Sequence, residues 1–509
     1  MSETDPQHEI GYTADLPDAG APSADMAAYT AGDPFERTMR DWFPSAGSAD
    51  ADLVPELDTM IPRSRDLGRN NGIAASGIQT LKDNIVGSVL KLSSKPHYRM
   101  LGWSRAEAEQ FGRAIEAEFE QYSRTTECDA AQTSTLLGLT LQALAGAMLN
   151  GEALAVPVWA PRRGHRWATR LQMVEADRLD TPPGMESDRL RGGVEVDRFG
   201  APVAYWIRKT HPGARWTFGA WSDPSDFQRV PAFTRDGLRR VIHLYDPERA
   251  DQHRGRPIVS TVAKQFRLAG KYSDAHLETA VAQSMIAAFL ESDLSPDAAA
   301  NLFGEEPDEA WKKQLSGYHR QLTGSAIIPL PAGAKLNAFD PSSPNPAFES
   351  FMLGTLRHIA AGMNMPYELL LKDFSKTNYS SARASLLEAW RYFKGRRRWI
   401  VDHWLQPILE LWMEEASAAG RLPGITRAEY LTNRYAFSRC RWTFAGRGWV
   451  DPVKEAQGAQ IRMDAGLSTL EDECAEQGLD WEEVLEQRAR ERNRMAELGL
   501  LDQAEISST

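Results

Sequence analysis

A short polar segment in the second half of the chain is flanked on each side by hydrophobic residues at helical spacing. Before it, the apolar positions are Leu356, Ile359, Ala360 and Met363. This spacing predicts a helix that begins near Phe348. Because Pro366 disfavours helical geometry in the residue before it, we expect this helix to end near Met365.

The polar segment runs from Asp373 to Tyr379 and contains weak helix formers. Ser380 or Ser381 can then cap a second helix, since a serine hydroxyl accepts hydrogen bonds from the free N–H groups of a first helical turn. The pattern continues to about Ala416 and predicts an amphipathic helix. Its apolar face includes Leu386, Leu387, Trp390 and Phe393.

Other segments predict strands as well as helices. Ser104, followed by Glu107 three positions later, has the capping-box pattern that begins a helix. Residues 153–247 contain short apolar runs separated by glycine and proline, which is typical of a β-rich region. A helical pattern from Ile258 to Glu291 would be about 50 Å long. Together these segments predict an α+β fold.

Three shorter segments also give predictions. Trp42 and Phe43 are expected to be the first aromatic residues anchored in the fold. Residues 326–330 have the apolar character of a short strand, and residues 481–498 have the pattern of a charged helix.

The net charge of −12 is concentrated at the two ends of the chain. Residues 1–33 carry seven acidic side chains and no basic one, a composition that predicts a disordered acidic tail. Residues 471–509 carry twelve acidic side chains and four arginines, so the remaining residues have a net charge of +3. A nearly neutral body is unlike a sequence-specific DNA-binding protein.

One uncharged segment, Ala130–Gly151, is long enough to span a bilayer. A buried helix is the favoured interpretation, because the segment contains many polar residues for a transmembrane helix. The N-terminus shows no basic region followed by an apolar run, so no signal peptide is predicted. Cys128, Cys440 and Cys474 are far apart, which fits synthesis in a reducing cytoplasm.

Motifs with catalytic spacing are not found in the sequence, which contains no P-loop, HExxH, GxSxG or dinucleotide-binding pattern. We therefore expect no catalytic residues, no cofactor and no metal. His243 and His253 flank a turn and can contact a metal ion, but solvated or hydrogen-bonded histidines are the favoured interpretation.

The strongest basic cluster lies between Phe393 and Trp399. It can contact phosphate, form a solvated helix face, or pair with acidic groups of a neighbouring subunit, and the sequence leaves these alternatives open. The cluster comprises Lys394, Arg396, Arg397 and Arg398.

Three blocks of this sequence, in the expected order, resemble one known family. They are the turn Gln252-His-Arg-Gly-Arg-Pro257, the helix–loop–helix segment 357–390, and residues 448–470 with their Gly-Trp-Val-Asp-Pro-Val-Lys-Glu run. With weaker similarity over roughly residues 61–485, they resemble the portal proteins of tailed bacteriophages, in particular the lambda-type branch. This chain departs from the family in having a short, strongly acidic C-terminal region instead of a long helical crown.

The resemblance implies a portal fold with long stem helices, a small α/β clip, a mixed α/β wing and a short helical crown, assembled as a ring. The implied parts are the acidic tail 1–33, the wing 34–257 and 382–470, the stem helices 258–291 and 346–365, the clip 292–345, the channel loop 366–381 and the crown 471–509. The loop residues that would face DNA are Lys372, Asp373, Phe374, Ser375, Lys376, Thr377, Asn378 and Tyr379.

The resemblance also implies a function and partners. A portal ring, typically of twelve subunits, forms the channel at one capsid vertex for DNA packaging and ejection. It would bind the terminase large subunit, then head-completion or adaptor proteins, as well as major capsid and scaffolding proteins, while double-stranded DNA passes non-specifically. The location would be the virion, after assembly in the host cytoplasm, with no membrane involved.

A second hypothesis is a DNA-processing enzyme of the same packaging machinery, such as a nuclease or protease. The lack of any motif with catalytic spacing favours the non-enzymatic portal. The same kind of portal can also belong to a gene-transfer agent or a defective prophage, and the sequence does not distinguish these from an active phage.

Overall fold

The computed structural model describes residues 31, 37–214, 223–290, 326–329, 348–375, 377–448 and 451–500, and only the backbone at 282–290, 326–329 and 379. The expected acidic tail and most of the expected clip lie outside these residues. The chain divides into the units 1–48 and 49–509. In the first unit Trp42 and Phe43 are 65% and 81% exposed, so the expectation that they anchor the fold is wrong. The residues that follow them are small or polar and provide no apolar cluster.

The first helices of the second unit precede the β-rich region. The capping box at Ser104 is confirmed, because the Glu107 N–H donates to the Ser104 hydroxyl at 3.2 Å and the Ser104 N–H donates to the Glu107 carboxylate at 2.7 Å. The helices are α1 (Ala49–Asn70), α2 (Gly72–Ile85), α3 (Tyr98–Leu101), α4 (Arg105–Arg124) and α5 (Leu136–Asn150).

The strands confirm the β-rich prediction for residues 153–247. Sheets of order β3-β2-β8 and β4-β5-β6-β7 form there, and both are antiparallel. The strands are β1 (Leu90–Ser94), β2 (Glu152–Trp159), β3 (Thr169–Val174), β4 (Leu190–Arg191), β5 (Val194–Val196), β6 (Pro202–Arg208), β7 (Phe227–Pro231), β8 (Ile242–Tyr245), β9 (Ile286–Leu290), β10 (Ala326–Pro329) and β11 (Cys440–Phe444).

The second half of the chain is mainly helical. One π-helical turn, Val401–Leu405, joins two of its helices. The helices are α6 (Ala263–Met285), α7 (Phe348–Gly362), α8 (Tyr367–Leu371), α9 (Tyr379–Ile400), α10 (Gln406–Ala418), α11 (Arg427–Thr432), α12 (Arg434–Ser438), α13 (Pro452–Asp464), α14 (Leu470–Glu476) and α15 (Trp481–Glu497). β1 pairs antiparallel with β11 and so connects this half to the first.

The long helix predicted over residues 258–291 is shorter at both ends. A single 3₁₀ turn, Ser260–Val262, precedes α6, and the helix ends at Met285. The following residues form β9, which pairs in parallel with β10. Their backbone groups therefore bond to another segment instead of extending the helix. The predicted strand at 326–330 is confirmed by β10.

The uncharged segment 130–151 contains the buried helix that its polar residues favoured. Leu136, Ala143 and Leu144 of α5 are at most 2% exposed. The Trp404 indole N–H donates to the Thr140 hydroxyl at 3.2 Å, which fixes α5 against the π-helical turn. Among the described residues, no helix is long and apolar enough to cross a membrane.

Buried aromatic rings join α4, α10 and the residues before β3. Trp412 is fully buried, and its ring centroid lies 5.0 Å from that of Phe119 and 5.1 Å from that of Trp167. The Phe119 ring meets Trp412 edge-on at 82°, a geometry that aromatic quadrupoles favour. This cluster places α10 against the residues that lead into β3 of the three-stranded sheet.

The end of α5 and the turn before α6 meet backbone to backbone. Gly151 has a φ of +88°, and a Cβ added to Gly255 would lie 1.9 Å from the Gly151 carbonyl oxygen. The Ile258 N–H donates to the Met148 carbonyl at 2.9 Å beside this contact. Two glycines are therefore needed where α6 leaves the body of the protein.

We expect Gly255→Ala to destabilise the protein by about 2 kcal/mol or more, because the added methyl group meets backbone that cannot move aside. Gly270→Ala is the matched control: a Cβ there meets nothing within 4 Å. Alanine is favoured over glycine inside a helix by about 1 kcal/mol. Thermal melting should show a lower midpoint for the first variant and an unchanged or higher one for the second. Equal midpoints would contradict the close contact.

Candidate functional site

The predicted channel loop begins with a helix that the sequence pattern did not reveal. α7 ends at Gly362, Asn364 has a φ of +55°, and the short helix α8 follows Pro366 directly. Lys372 ends α8 in the left-handed conformation, with a φ of 57°. The first part of the segment 366–381 is therefore helical. The irregular segment begins at Lys372, and we call residues 372–378 the polar loop.

Hydrogen bonds inside the polar loop fix its path. The Asp373 carboxylate accepts the Ser375 N–H at 2.9 Å, and the Thr377 hydroxyl donates to the Phe374 carbonyl at 2.9 Å. The Asn378 side chain accepts the Ser381 N–H at 2.8 Å and caps α9. The cap predicted at Ser380 or Ser381 is therefore wrong, because extended Asn378 reaches the helix N-terminus first.

The side chains of the polar loop lie at the surface. Lys372, Asp373, Ser375 and Asn378 are exposed, and Thr377 is half-buried. Phe374 is 44% exposed, which makes it the one large apolar side chain that the described part of the loop presents to solvent. Lys376 and the side chain of Tyr379 lie outside the described residues.

A buried leucine anchors the polar loop at its N-terminal end. Leu370 in α8 is 1% exposed and packs against Gly77 of α2, where an added Cβ would lie 2.8 Å from the leucine Cδ1. The Ser76 hydroxyl donates to the Leu370 carbonyl at 3.3 Å. The helical periodicity of α2 did not reveal this contact between Gly77 and α8.

The C-terminal side of the polar loop continues into an unburied stretch of α9. From Ser380 to Glu388 no side chain is buried, and the first buried positions are Ala389 and Phe393. Nine helical residues extend about 14 Å. The first turns of α9 therefore carry the polar loop away from the apolar core of the chain.

Arg397, in the predicted basic cluster, is used inside the chain. Its guanidinium donates to the Ile85, Asn84 and Ala445 carbonyls at 2.8, 2.9 and 2.7 Å. It also stacks over the Trp390 ring at 4.7 Å. Burial lowers the pKa of Arg397 to about 10. Its contacts join α9 to the end of α2 and to the residue after β11.

The three other cations of the cluster pair with acidic side chains of the same chain. Arg396 contacts Asp246 at 2.6 Å, Lys394 contacts Glu476 at 2.8 Å, and Arg398 contacts Asp402 at 2.8 Å. Arg396 is the more enclosed, whereas the side chains of Lys394 and Arg398 are 52% and 78% exposed. Only these two present much of their surface to solvent.

The candidate metal ligand His243 belongs to a buried ion-pair network. Its Nε2 lies 3.0 Å from the Glu152 carboxylate, which also accepts from the Arg254 Nε at 2.8 Å. Burial alone would raise the pKa of Glu152, but Arg254 and His243 outweigh it and hold the value at about 2. Burial lowers the pKa of His243 itself. The hydrogen-bonded interpretation therefore describes His243.

Arg254 satisfies all its donors in this network. Besides the two N–H groups that bond Glu152, it donates to the carbonyls of Leu179 at 2.9 Å, Gly192 at 2.7 Å and Ala176 at 3.2 Å. The Gln252–Pro257 turn is thus tied to β2 and to both loops that precede β5. The Gln252–Pro257 turn, one of the three blocks that resemble a known family, therefore holds the chain in place just before α6.

One further cluster of ligand-type side chains was not predicted. Glu175, Asp177 and His211 converge, with the His211 Nε2 at 2.9 Å from Glu175. Both oxygens of Asp177 already accept from Arg65, and the His211 Nδ1 accepts the Gly213 N–H at 2.9 Å. When His211 is neutral, its proton therefore sits on Nε2, where a metal would have to bind, and faces Glu175. The cluster is already used by this contact and by the Arg65–Asp177 ion pair.

These elements match a known class of protein. A family model described as phage portal protein, lambda family, matches residues 35–397. The chain therefore belongs to the lambda family of phage portal proteins. This membership gives it a portal's role at the head–tail connector, and a DNA-processing enzyme of the same machinery is not favoured.

Individual relatives extend the similarity over nearly the whole chain. Portal protein B of Escherichia phage lambda is 30% identical over 502 residues, covering 95% of this chain and 93% of that protein. The portal protein of Escherichia phage N15 has the same identity and coverage. The probable portal protein of Halomonas phage phiHAP-1 is 27% identical, over 90% of this chain and 84% of that one.

Solved structures give weaker similarities. The neck of an empty GTA particle computed with C6 symmetry has a TM-score of 0.41 and 14% identity, over 83% of this chain and 94% of that chain. The neck of a native GTA particle computed with C12 symmetry has a TM-score of 0.38 and 15% identity, over 80% and 90% of the two chains.

We expect Leu370→Ala to loosen the polar loop, because it empties the buried anchor of α8 at a cost of about 2–5 kcal/mol. Hydrogen–deuterium exchange should rise in residues 367–378. Leu387→Ala is the matched control, since this leucine of α9 is 48% exposed and its truncation leaves no cavity. Unchanged exchange in the Leu370 variant would show that the loop does not depend on this anchor.

Proposed function

We propose that this chain is one subunit of a ring that conducts double-stranded DNA at one capsid vertex, and that the polar loop with Tyr379 lines the channel. The observation that carries this proposal is the loop's position. It is fixed at one end by buried Leu370 and carried at the other by nine unburied residues of α9. Such a loop extends beyond the apolar core and still keeps a defined backbone conformation.

The chemistry of the polar loop suits DNA that must move. Lys372 and Lys376 stand with Asp373 among short polar side chains, so the local net charge is low. Every tight phosphate contact adds to the free energy that sliding must overcome. Low charge and exposed polar groups allow brief contacts with the DNA backbone and do not hold it at one register.

The basic cluster contributes less to DNA contact in this proposal. Arg397 and Arg396 are used to join α9 to other parts of the same chain. Lys394 and Arg398 keep solvent-exposed surface and are the members able to meet phosphate or a neighbouring subunit.

We assign the stem, clip, wing and crown as follows. We assign α6 and α7 to the stem, because the Tyr272 and Phe348 rings stack between them at 5.3 Å. Residues 292–345 remain the proposed clip, residues 34–257 and 382–470 the wing, and residues 471–509 a short crown. The clip would meet the terminase large subunit and later a head-completion or adaptor protein, while capsid and scaffolding proteins would surround the wing.

A portal of this kind needs no catalytic residues, and we propose none. The channel would act as a structural part of the virion, assembled from free subunits in the host cytoplasm. Gene-transfer agents and prophages use parts of the same type, and the proposal covers these sources equally.

Electron microscopy of the purified full-length protein tests the assembly. We expect rings with an axial hole, close to twelve-fold in symmetry, because lateral head-to-tail contacts close into rings. A compact monomer under all assembly conditions would contradict the ring and would revive the alternative of a processing enzyme.

Deleting Ser375–Tyr379 tests the loop itself. The rings should still form, while packaged or retained DNA should fall, since the channel loses its lining. Replacing the same five residues by glycine and serine is the control, because it keeps the length and removes the side chains. Normal packaging and infectivity of the deletion variant would refute the assignment of the loop without affecting the assignment of the ring.

A further inference from the structure

His253 lies at a buried junction of three segments of the second unit. Its Nδ1 is 2.7 Å from one Asp50 carboxylate oxygen, and its Nε2 is 2.9 Å from the Gly200 carbonyl oxygen. The side chains of His253 and Asp50 are 6% and 9% exposed. Asp50 lies in the first turn of α1, Gly200 lies in the turn between β5 and β6, and His253 lies in the turn that leads to α6.

The two acceptors decide which protonation state the ring must have. A carbonyl oxygen only accepts, so Nε2 must carry a proton toward Gly200. The other Asp50 oxygen accepts the His253 backbone N–H at 2.9 Å, and the Arg191 guanidinium lies 3.7 Å from the oxygen that faces Nδ1. The N-terminal turn of a helix also favours a carboxylate. Asp50 is therefore ionised, and Nδ1 must carry a proton as well.

A neutral imidazole has one N–H and can satisfy only one of these two acceptors. We propose that His253 is a proton-operated latch, whose imidazolium form holds the start of α1 and the β5–β6 turn together against the base of α6. Loss of one proton would leave two lone pairs facing each other in a buried site. The weaker of the two contacts would then open.

Among the described residues around His253, no second group replaces the lost proton. On α1 the next acid, Asp52, pairs with Arg249 at 2.8 Å. In the β5–β6 turn Asp197 accepts the Phe199 and Ala201 N–H groups at 2.8 and 2.9 Å. Around the turn before α6, the Glu152 charge is paired with Arg254 and hydrogen-bonded by His243, and the Asp251 carboxylate lies at Gly200.

The direction of the pH dependence follows from these contacts. The hydrogen bond to Asp50 raises the pKa of His253, and burial opposes it more weakly. The latch is therefore complete below the ordinary histidine pKa and is lost as the pH rises through the raised value. Burial would raise the pKa of Asp50, but His253 outweighs it and lowers that pKa. On the acid side the latch holds until this lowered value is reached.

The consequence concerns the base of α6. The Gln252–Pro257 turn carries both His253 and the Arg254 network, and α6 starts a few residues later. The Arg254 network contains no group that titrates toward alkaline pH as His253 does, so it stays closed when the latch opens. Alkaline conditions would free either the start of α1 or the β5–β6 turn, whichever makes the weaker contact with His253, while α6 keeps its attachment to β2.

Solid-state NMR of the full-length protein labelled with ¹⁵N-histidine tests the charge state directly. At pH 6, below the ordinary histidine pKa, we expect the signals of a histidine with both ring nitrogens protonated to vanish in His253→Gln. His403→Gln is the control, because His403 is exposed on the π-helical turn and its loss should leave these signals in place. A neutral ring at His253 at pH 6 would overturn the proposal, whatever the fate of the variant.

Hydrogen–deuterium exchange between pH 6 and pH 9, corrected for intrinsic rates, tests the opening. In the unaltered protein, the peptides covering 49–57 or those covering 197–204 should become less protected as the pH rises, according to which contact of His253 is the weaker. In His253→Gln they should be less protected throughout, with no alkaline step. An alkaline step of the same size in both proteins would show that another group controls these segments.

Discussion

The buried ion pair between Glu152 and Arg254 is the interaction on which the arrangement of the second unit depends. It lies where α5 ends, β2 begins and the chain turns toward α6, and every N–H of the guanidinium finds an oxygen. Removing one partner would leave an uncompensated charge in the interior, at a cost of about 3–5 kcal/mol. The two touching glycines, Gly151 and Gly255, exist because the turn must approach this closely.

From that junction the chain continues into the segments that matter for a portal. α6 leads toward the proposed clip, and α7 and α8 lead back from it to the polar loop. The loop is held by apolar packing at Leu370 and by polar caps at Asn378, not by a second ion-pair network. Rigid ends with an exposed polar middle suit a segment that meets DNA briefly. The buried Glu152–Arg254 ion pair suits the junction of α5, β2 and the turn before α6, which must stay fixed.

Patterns within single segments were predictable. The capping box at Ser104, the buried character of α5, the β-rich middle and the short strand at 326–329 all depend on local periodicity and capping chemistry. The failures depend on distant partners. β9 pairs with a strand forty residues away, and α8 is held by Gly77 of α2. Such partners leave no mark in the spacing of one segment.

The sequence by itself determined the uneven distribution of charge and a helix–loop–helix with a polar centre, since composition and periodicity are local properties. The class of protein was indicated by the resemblance of three sequence blocks to a known family. Only the tertiary structure decided where the loop begins, which side chains anchor it, and how the basic cluster is used. The sequence left open whether the four cations contact phosphate, form a solvated helix face or pair with a neighbouring subunit, and three-dimensional packing gave each of them a partner in its own chain. The reason is physical: a charge is satisfied by whatever lies within a few ångströms, and only the fold brings those groups together.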